Sequence, residues 1–132
     1  MAGERILIVE DEPDILSVVT SRLEASGYQC LSAADGISGF EKAKKENPDL
    51  MILDLMLPKM DGYKVCALLK KDSRYAKIPI ILFTARAQEE DEKLGLECGA
   101  DAYVHKPFNA AELLRAVFLL LGKPSKIKNT AQ

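Results

Sequence analysis

Five polar side chains stand behind short apolar runs: Glu10 and Asp11 after Ile6 to Val9, Asp54 after Leu50 to Leu53, Thr84 after Ile78 to Phe83, and Lys106 after Ala102 to Val104. Together they offer three carboxylates, a hydroxyl and an ammonium. Carboxylates crowded on one edge repel and raise one another's pKa unless a cation neutralises them. With no His or Cys in the set, oxygen donors favour a hard cation such as Mg²⁺, which keeps several waters and is often completed by phosphate. That combination points to phosphoryl chemistry. The cation and the Lys106 ammonium offset charge on the transferring group, Thr84 donates a hydrogen bond, and a carboxylate is the nucleophile. Singly, each has a plainer reading: the 10–12 acids could cap a helix, Asp54 could end a strand, Thr84 could fill one, and Lys106 before Pro107 could sit in a loop.

Whether the five converge depends on the elements that carry them. Apolar runs at Ile6–Val9, Tyr28–Leu31, Leu50–Leu53, Ile78–Phe83 and Ala102–Val104 read as strands. The first, third and fourth are apolar at nearly every position, as parallel strands covered on both faces should be. Between them lie stretches of helical period: Ile15, Val18, Val19 and Leu23 between Pro13 and Gly27; Phe40 and Ala43 within 36–47; Val65, Leu68 and Leu69 after Asp61-Gly62; an acidic stretch over 87–97; and Leu113, Leu114, Val117, Phe118 and Leu121 behind Asn109 and Glu112, which form a capping box. Five such β/α units predict one doubly wound α/β domain, a five-stranded parallel sheet with helices on both faces. In such a sheet the residues after each strand meet at one edge, where ligands bind.

Composition narrows the alternatives. The chain has 132 residues, 48% hydrophobic and 29% charged, which suits a single domain. Eighteen basic against twenty acidic side chains leave a net charge of −2, so no global positive field holds nucleic acid or anionic lipid. No apolar run approaches the roughly 20 residues of a membrane helix, and Met1 to Val9 lacks the pattern of a secretion signal, so a cytoplasmic location is expected. Cys30, Cys66 and Cys98 fit neither a disulfide framework nor a zinc site and are expected to be reduced and mostly buried. The expected division is a domain over 1–122 and a polar tail or linker stub over 123–132.

The segments Ile6-Leu7-Ile8-Val9-Glu10-Asp11-Glu12, Leu53-Asp54-Leu55-Met56-Leu57-Pro58-Lys59-Met60-Asp61-Gly62, Phe83-Thr84-Ala85 and Lys106-Pro107-Phe108 resemble the motifs of response-regulator receiver domains, the CheY-like half of two-component signalling systems. The similarity spans residues 5 to about 121. It implies a flavodoxin/CheY-like fold with strand order 2-1-3-4-5 and five helices. By the same resemblance Asp54 is the phosphoacceptor, taking a phosphoryl group from a phosphohistidine on a histidine kinase or phosphotransfer protein. Glu10, Asp11, Asp54 and the backbone carbonyl of Met56 would hold Mg²⁺, with Glu10 replacing the commoner Asp. Lys106 would pair with the phosphoryl oxygens, and Thr84 would move to bond them. Tyr103 matches an aromatic switch position, although a half-buried strand aromatic is an equal reading. Output would pass through the surface of the fourth helix, fifth strand and fifth helix to a partner or an effector domain. The implied domain is a signalling element rather than an enzyme, although it would catalyse its own phosphotransfer and dephosphorylation. It would bind no nucleic acid or membrane directly and would be a monomer, with dimerisation on phosphorylation left open.

A haloacid-dehalogenase-type phosphatase would need an acid where Met56 stands, and a flavodoxin would need a phosphate loop where 10–14 is acidic. A dinucleotide enzyme would need a GxGxxG turn that the sequence lacks. The remaining rival is a pseudo-receiver, a protein-interaction module that signals without phosphorylation.

Overall fold

The computed structural model describes residues 3–84, 98–105 and 110–121, with Thr84 described by its backbone. Strands β1 (Arg5–Val9), β2 (Gln29–Ala33), β3 (Leu50–Asp54), β4 (Ile80–Thr84) and β5 (Ala102–His105) form one sheet in the order β2-β1-β3-β4-β5. Every neighbouring pair is parallel. Helices α1 (Pro13–Ala25), α2 (Gly36–Glu46) and α3 (Gly62–Lys71) and a C-terminal helix (Ala110–Leu121) cover its faces. The fourth predicted helix, over 87–97, and the residues Lys106 and Asn109 lie outside the described set.

The alternation of side chains sorts the core into two layers. Leu7 and Val9 of β1, Met51 and Leu53 of β3, and Ile80 and Leu82 of β4 pack with Ala43 of α2 and Val65, Cys66 and Leu69 of α3. The intervening Ile6, Ile8, Leu50, Ile52, Ile81 and Phe83 pack with Val19 and Leu23 of α1 and Leu113 and Val117 of the C-terminal helix. Both faces of β1, β3 and β4 are therefore buried, which explains their unbroken apolar composition.

Helix ends follow local chemistry. Pro13 opens α1, where its missing N–H costs nothing. Asp35 and Asp61 cap α2 and α3 by accepting from Ser38 N–H at 2.8 Å and Lys64 N–H at 3.0 Å. Asn47 ends α2 in the left-handed region at φ 47°.

Several boundaries differ from expectation: β1 begins one residue earlier, at Arg5, and β3 and β4 run one residue further, to Asp54 and Thr84. β2 begins at Gln29 and reaches Ala33, because as an edge strand it takes its register from β1 rather than from apolar side chains. β4 begins at Ile80: Ile78 is buried in a turn, its N–H bonded to Tyr75 O, so the apolar run at 78–79 marked burial and not strand. β5 runs one residue further, to His105. Val18, Leu68 and Phe118, placed in helix stripes by their spacing, are substantially exposed, because a helix lying on a sheet buries a stripe narrower than the apolar arc of the sequence.

Candidate functional site

The sheet register brings the carboxylates together. Val9 pairs with Leu53, so Glu10 and Asp54 occupy adjacent positions at the carboxyl ends of neighbouring strands, on the central seam of the sheet. Among the described residues, these are the two charged side chains that are buried, Glu10 2% exposed and Asp54 3%. Ionised carboxylates are almost never fully buried without a compensating group, because desolvation costs several kcal/mol per ion. Their burial makes this edge the candidate site.

Local backbone fixes both. Glu12 N–H donates to Glu10 Oε2 at 3.1 Å, and Met56 N–H donates to Asp54 Oδ1 at 3.0 Å. Each carboxylate thus accepts from the backbone two residues downstream, an Asx-type turn that points it into the edge as the chain leaves its strand. Glu10 N–H is itself held by Ala33 O at 3.0 Å, tying the site to the end of β2.

The loop after β3 is shaped by glycine. Gly62 N–H donates to Leu55 O at 3.1 Å, and a Cβ at Gly62 would collide with the carbonyl oxygen of Asp54 and stand 2.9 Å from Leu55 Cα. The start of α3 therefore approaches the backbone of Asp54 as closely as only glycine permits. A Cβ at Gly36 would likewise strike Met60 O, while Gly36 N–H reaches Pro58 O at 3.1 Å, so the start of α2 clamps the same loop. Lys59 turns that loop at φ 70°.

The donor set suits a hard cation. One carboxylate oxygen from each of Glu10, Asp11 and Glu12 lies within 4.8 Å of the others, and the group is entirely oxygen. The register adds Asp54 beside them. Glu12 is the acid of this cluster that the sequence offers as a helix cap and not as a site residue, yet it occupies the N-cap of α1 without a side-chain capping bond. The signal was its place in the acidic run, and helix capping explained that run equally well.

The other expected members are located less fully. Thr84 ends β4 and pairs in register with His105. Lys106 lies outside the described residues. Tyr103 is half-buried, packs against the α2–α3 layer, and sets its ring edge-on to His105 at 5.1 Å and 63°. No helix among the described residues is long and apolar enough to cross a membrane.

The family model for the response regulator receiver domain matches residues 6–118. The chain is a response regulator receiver domain. It is 44% identical over 128 residues to the DNA-binding dual master transcriptional regulator RpaA of Synechocystis, covering 97% of this chain and 53% of that protein. It is 43% identical over 119 residues to the alkaline phosphatase synthesis transcriptional regulatory protein PhoP of Bacillus subtilis, covering 90% of this chain and 49% of that one. This receiver domain therefore spans about half the length of the curated relatives it matches. Among solved structures it resembles the receiver domain of the sensor histidine kinase PA1611 of Pseudomonas aeruginosa, a structure with a magnesium ion coordinated in the active-site cleft, with a TM-score of 0.84 and 34% identity over 92% of this chain and 100% of that one. The chemotaxis protein CheY4 of Vibrio cholerae gives a TM-score of 0.84 and 32% identity over 91% of this chain and 100% of that one. The strand order expected from the resemblance is the order observed.

Proposed function

We propose that this receiver domain is a phosphorylation-controlled switch in which Asp54 accepts a phosphoryl group from a phosphohistidine on a histidine kinase or phosphotransfer protein. The observation that carries this reading is the burial of Glu10 and Asp54 at adjoining strand ends. An Asp54 carboxylate oxygen attacks phosphorus, the bond from phosphorus to the donor imidazole breaks, and an acyl phosphate remains on Asp54. The Met56 N–H on Oδ1 orients the carboxylate for that attack.

Glu10, Asp11, Asp54 and the Met56 carbonyl would hold Mg²⁺, with Glu12 close enough to join directly or through water. Bound there, the ion would supply positive charge against the mutual repulsion of the acids and the charge on the phosphoryl oxygens. Lys106 and Thr84 are assigned to those oxygens by their place in the family motifs.

The added charge biases Thr84 and Tyr103 between two arrangements and so alters the surface built from the segment before β5, β5 and the C-terminal helix. The recipient is a partner protein or an effector domain. The regulators named above are transcriptional, which favours control of transcription as the output. The domain spans 1–122, with 123–132 a polar tail or the stub of a linker, and its place is the cytoplasm, where a histidine kinase would meet it.

Intact-protein mass spectrometry after incubation with Mg²⁺ and acetyl phosphate tests the reading. One added phosphoryl mass in wild type and none in Asp54→Asn supports it. No addition in wild type, with Mg²⁺ binding intact and a stable phosphoryl mimic failing to bind, establishes the pseudo-receiver reading instead.

A further inference from the structure

Cys66 and Cys98 are separated by 32 positions in sequence, yet the fold brings them together. Cys66 lies fully buried on α3, and Cys98 sits half-buried in the turn that leads into β5, packed on the same core layer. The Cys66 thiol donates to the backbone carbonyl oxygen of Cys98 at 3.6 Å, which sets the two side chains in one neighbourhood of the core.

The turn cannot drift from α3. Lys70, one helical turn after Cys66, donates from Nζ to Ala76 O at 3.1 Å, Ile78 O at 2.7 Å and Asp101 Oδ2 at 2.9 Å. Asp101 Oδ2 also accepts from Ile80 N–H at 2.8 Å. Gly99, at φ 94°, lies so close that a Cβ there would stand 3.1 Å from Lys70 Cγ. The turn that carries Cys98 is thus held against the helix that carries Cys66 by bonds that do not involve sulfur.

Their chemistry differs. The neighbouring Cys66 side chain, the backbone N–H of Ala100 and the nearby Lys70 ammonium draw the Cys98 thiol down against its partial burial, while Cys98 and burial push Cys66 up. Cys98 is also the thiol that a solute can reach, whereas Cys66 is fully buried with its S–H on the Cys98 carbonyl, so Cys98 is the nucleophile and Cys66 keeps its proton. Cys30, which packs on the opposite core layer, is pushed up to about 12 by burial and by Glu24.

We propose that Cys66 and Cys98 form a redox pair that a peroxide converts into an intramolecular disulfide between α3 and the turn before β5. The Cys98 thiolate attacks one peroxide oxygen, the O–O bond breaks, and Cys98 becomes a sulfenic acid as hydroxide leaves and is protonated to water. The Cys66 sulfur then attacks the Cys98 sulfur, giving its proton to the departing hydroxyl, which leaves as a second water. Two thiols are oxidised and one hydrogen peroxide is reduced. The product clamps the turn that leads into β5 to α3, and thiol reductants reverse it.

The test uses the whole chain, freed of reductant and treated with hydrogen peroxide. The expected product is a monomer lighter by two hydrogens, whose non-reducing peptide map joins the peptides of Cys66 and Cys98 and whose mass returns on reduction. A link involving Cys30, a dimer between chains, a sulfinate or sulfonate at Cys98, or no reaction overturns the proposal. In Cys66→Ala, dimedone should trap a sulfenic acid at Cys98, and the wild-type map decides the matter even if that variant does not fold. Iodoacetamide should modify Cys98 at least about tenfold faster than Cys30 at neutral pH. Equal rates at the two cysteines would also overturn it.

Discussion

The two edges of the sheet use acidic residues in opposite ways. Where the strands begin, Asp49 accepts from Arg5 N–H at 2.7 Å and Asp101 from Ile80 N–H at 2.8 Å, each finishing a ladder that starts one strand away. These acids stay in touch with water and have cations close by: Lys70 pairs with Asp101 at 2.9 Å, and Arg5, whose backbone meets Asp49, pairs through its side chain with Glu46 of α2 at 2.8 Å. Where the strands end, Glu10 and Asp54 are drawn under the surface, and Asp11 and Glu12 crowd the same rim. An acid that serves architecture is placed where its charge is inexpensive to keep. An acid buried at the strand ends is held where low dielectric would strengthen its interactions with an incoming cation or phosphoryl group.

That contrast predicts which edge each substitution will damage. Asp54→Asn should remove phosphoryl uptake from acetyl phosphate entirely while leaving the circular dichroism of the fold unchanged; uptake that survives would place the acceptor elsewhere. Glu10→Gln should weaken Mg²⁺ binding, read by calorimetry, by roughly 10–100-fold with little change in melting temperature, since a buried charge has been removed rather than a packed group. Gly62→Ala should act on both function and stability, costing about 2–3 kcal/mol in chemical denaturation as its methyl forces α3 away from the Asp54 carbonyl.

At the opposite edge the effects reverse. Lys70→Met leaves three oxygen acceptors without their shared donor and should cost about 1–3 kcal/mol of stability with phosphoryl uptake per folded molecule unaltered. Glu46→Gln breaks an ion pair whose side chains are each about one-third exposed, and should cost no more than about 1 kcal/mol, shrinking further at high salt. If either substitution at this edge abolished phosphoryl uptake without unfolding the chain, the division of labour would be wrong.

The sequence made the functional edge easier to read than the structural one. Unbroken apolar runs at 6–9 and 50–53 announced central strands, and topology then forced Glu10 and Asp54 to adjoin however far apart they lie in the chain. Pro13, Asp61 and Gly62 each carried a local meaning that the structure repeats. What stayed hidden depended on tertiary neighbours. The edge strand β2 carries little apolar signal, so its register emerged only from pairing with β1. Ile78 is buried by a turn rather than by a strand. Val18, Leu68 and Phe118 are exposed because helical period gives the direction of an apolar arc and not the width a sheet will cover. The Cys66–Cys98 contact was invisible for a related reason: thiols read as small buried side chains until the turn before β5 is seen lying on α3.

The central claim is that Asp54, among the four acids at this edge, carries the phosphoryl group. Wild-type protein phosphorylated with acetyl phosphate can be reduced with borohydride, which converts an aspartyl phosphate to homoserine, and then mapped by peptide sequencing. The account predicts homoserine at position 54 and unchanged acids at 10, 11 and 12. Reduction at any of those three positions, or a phosphoryl group that resists borohydride, would contradict it.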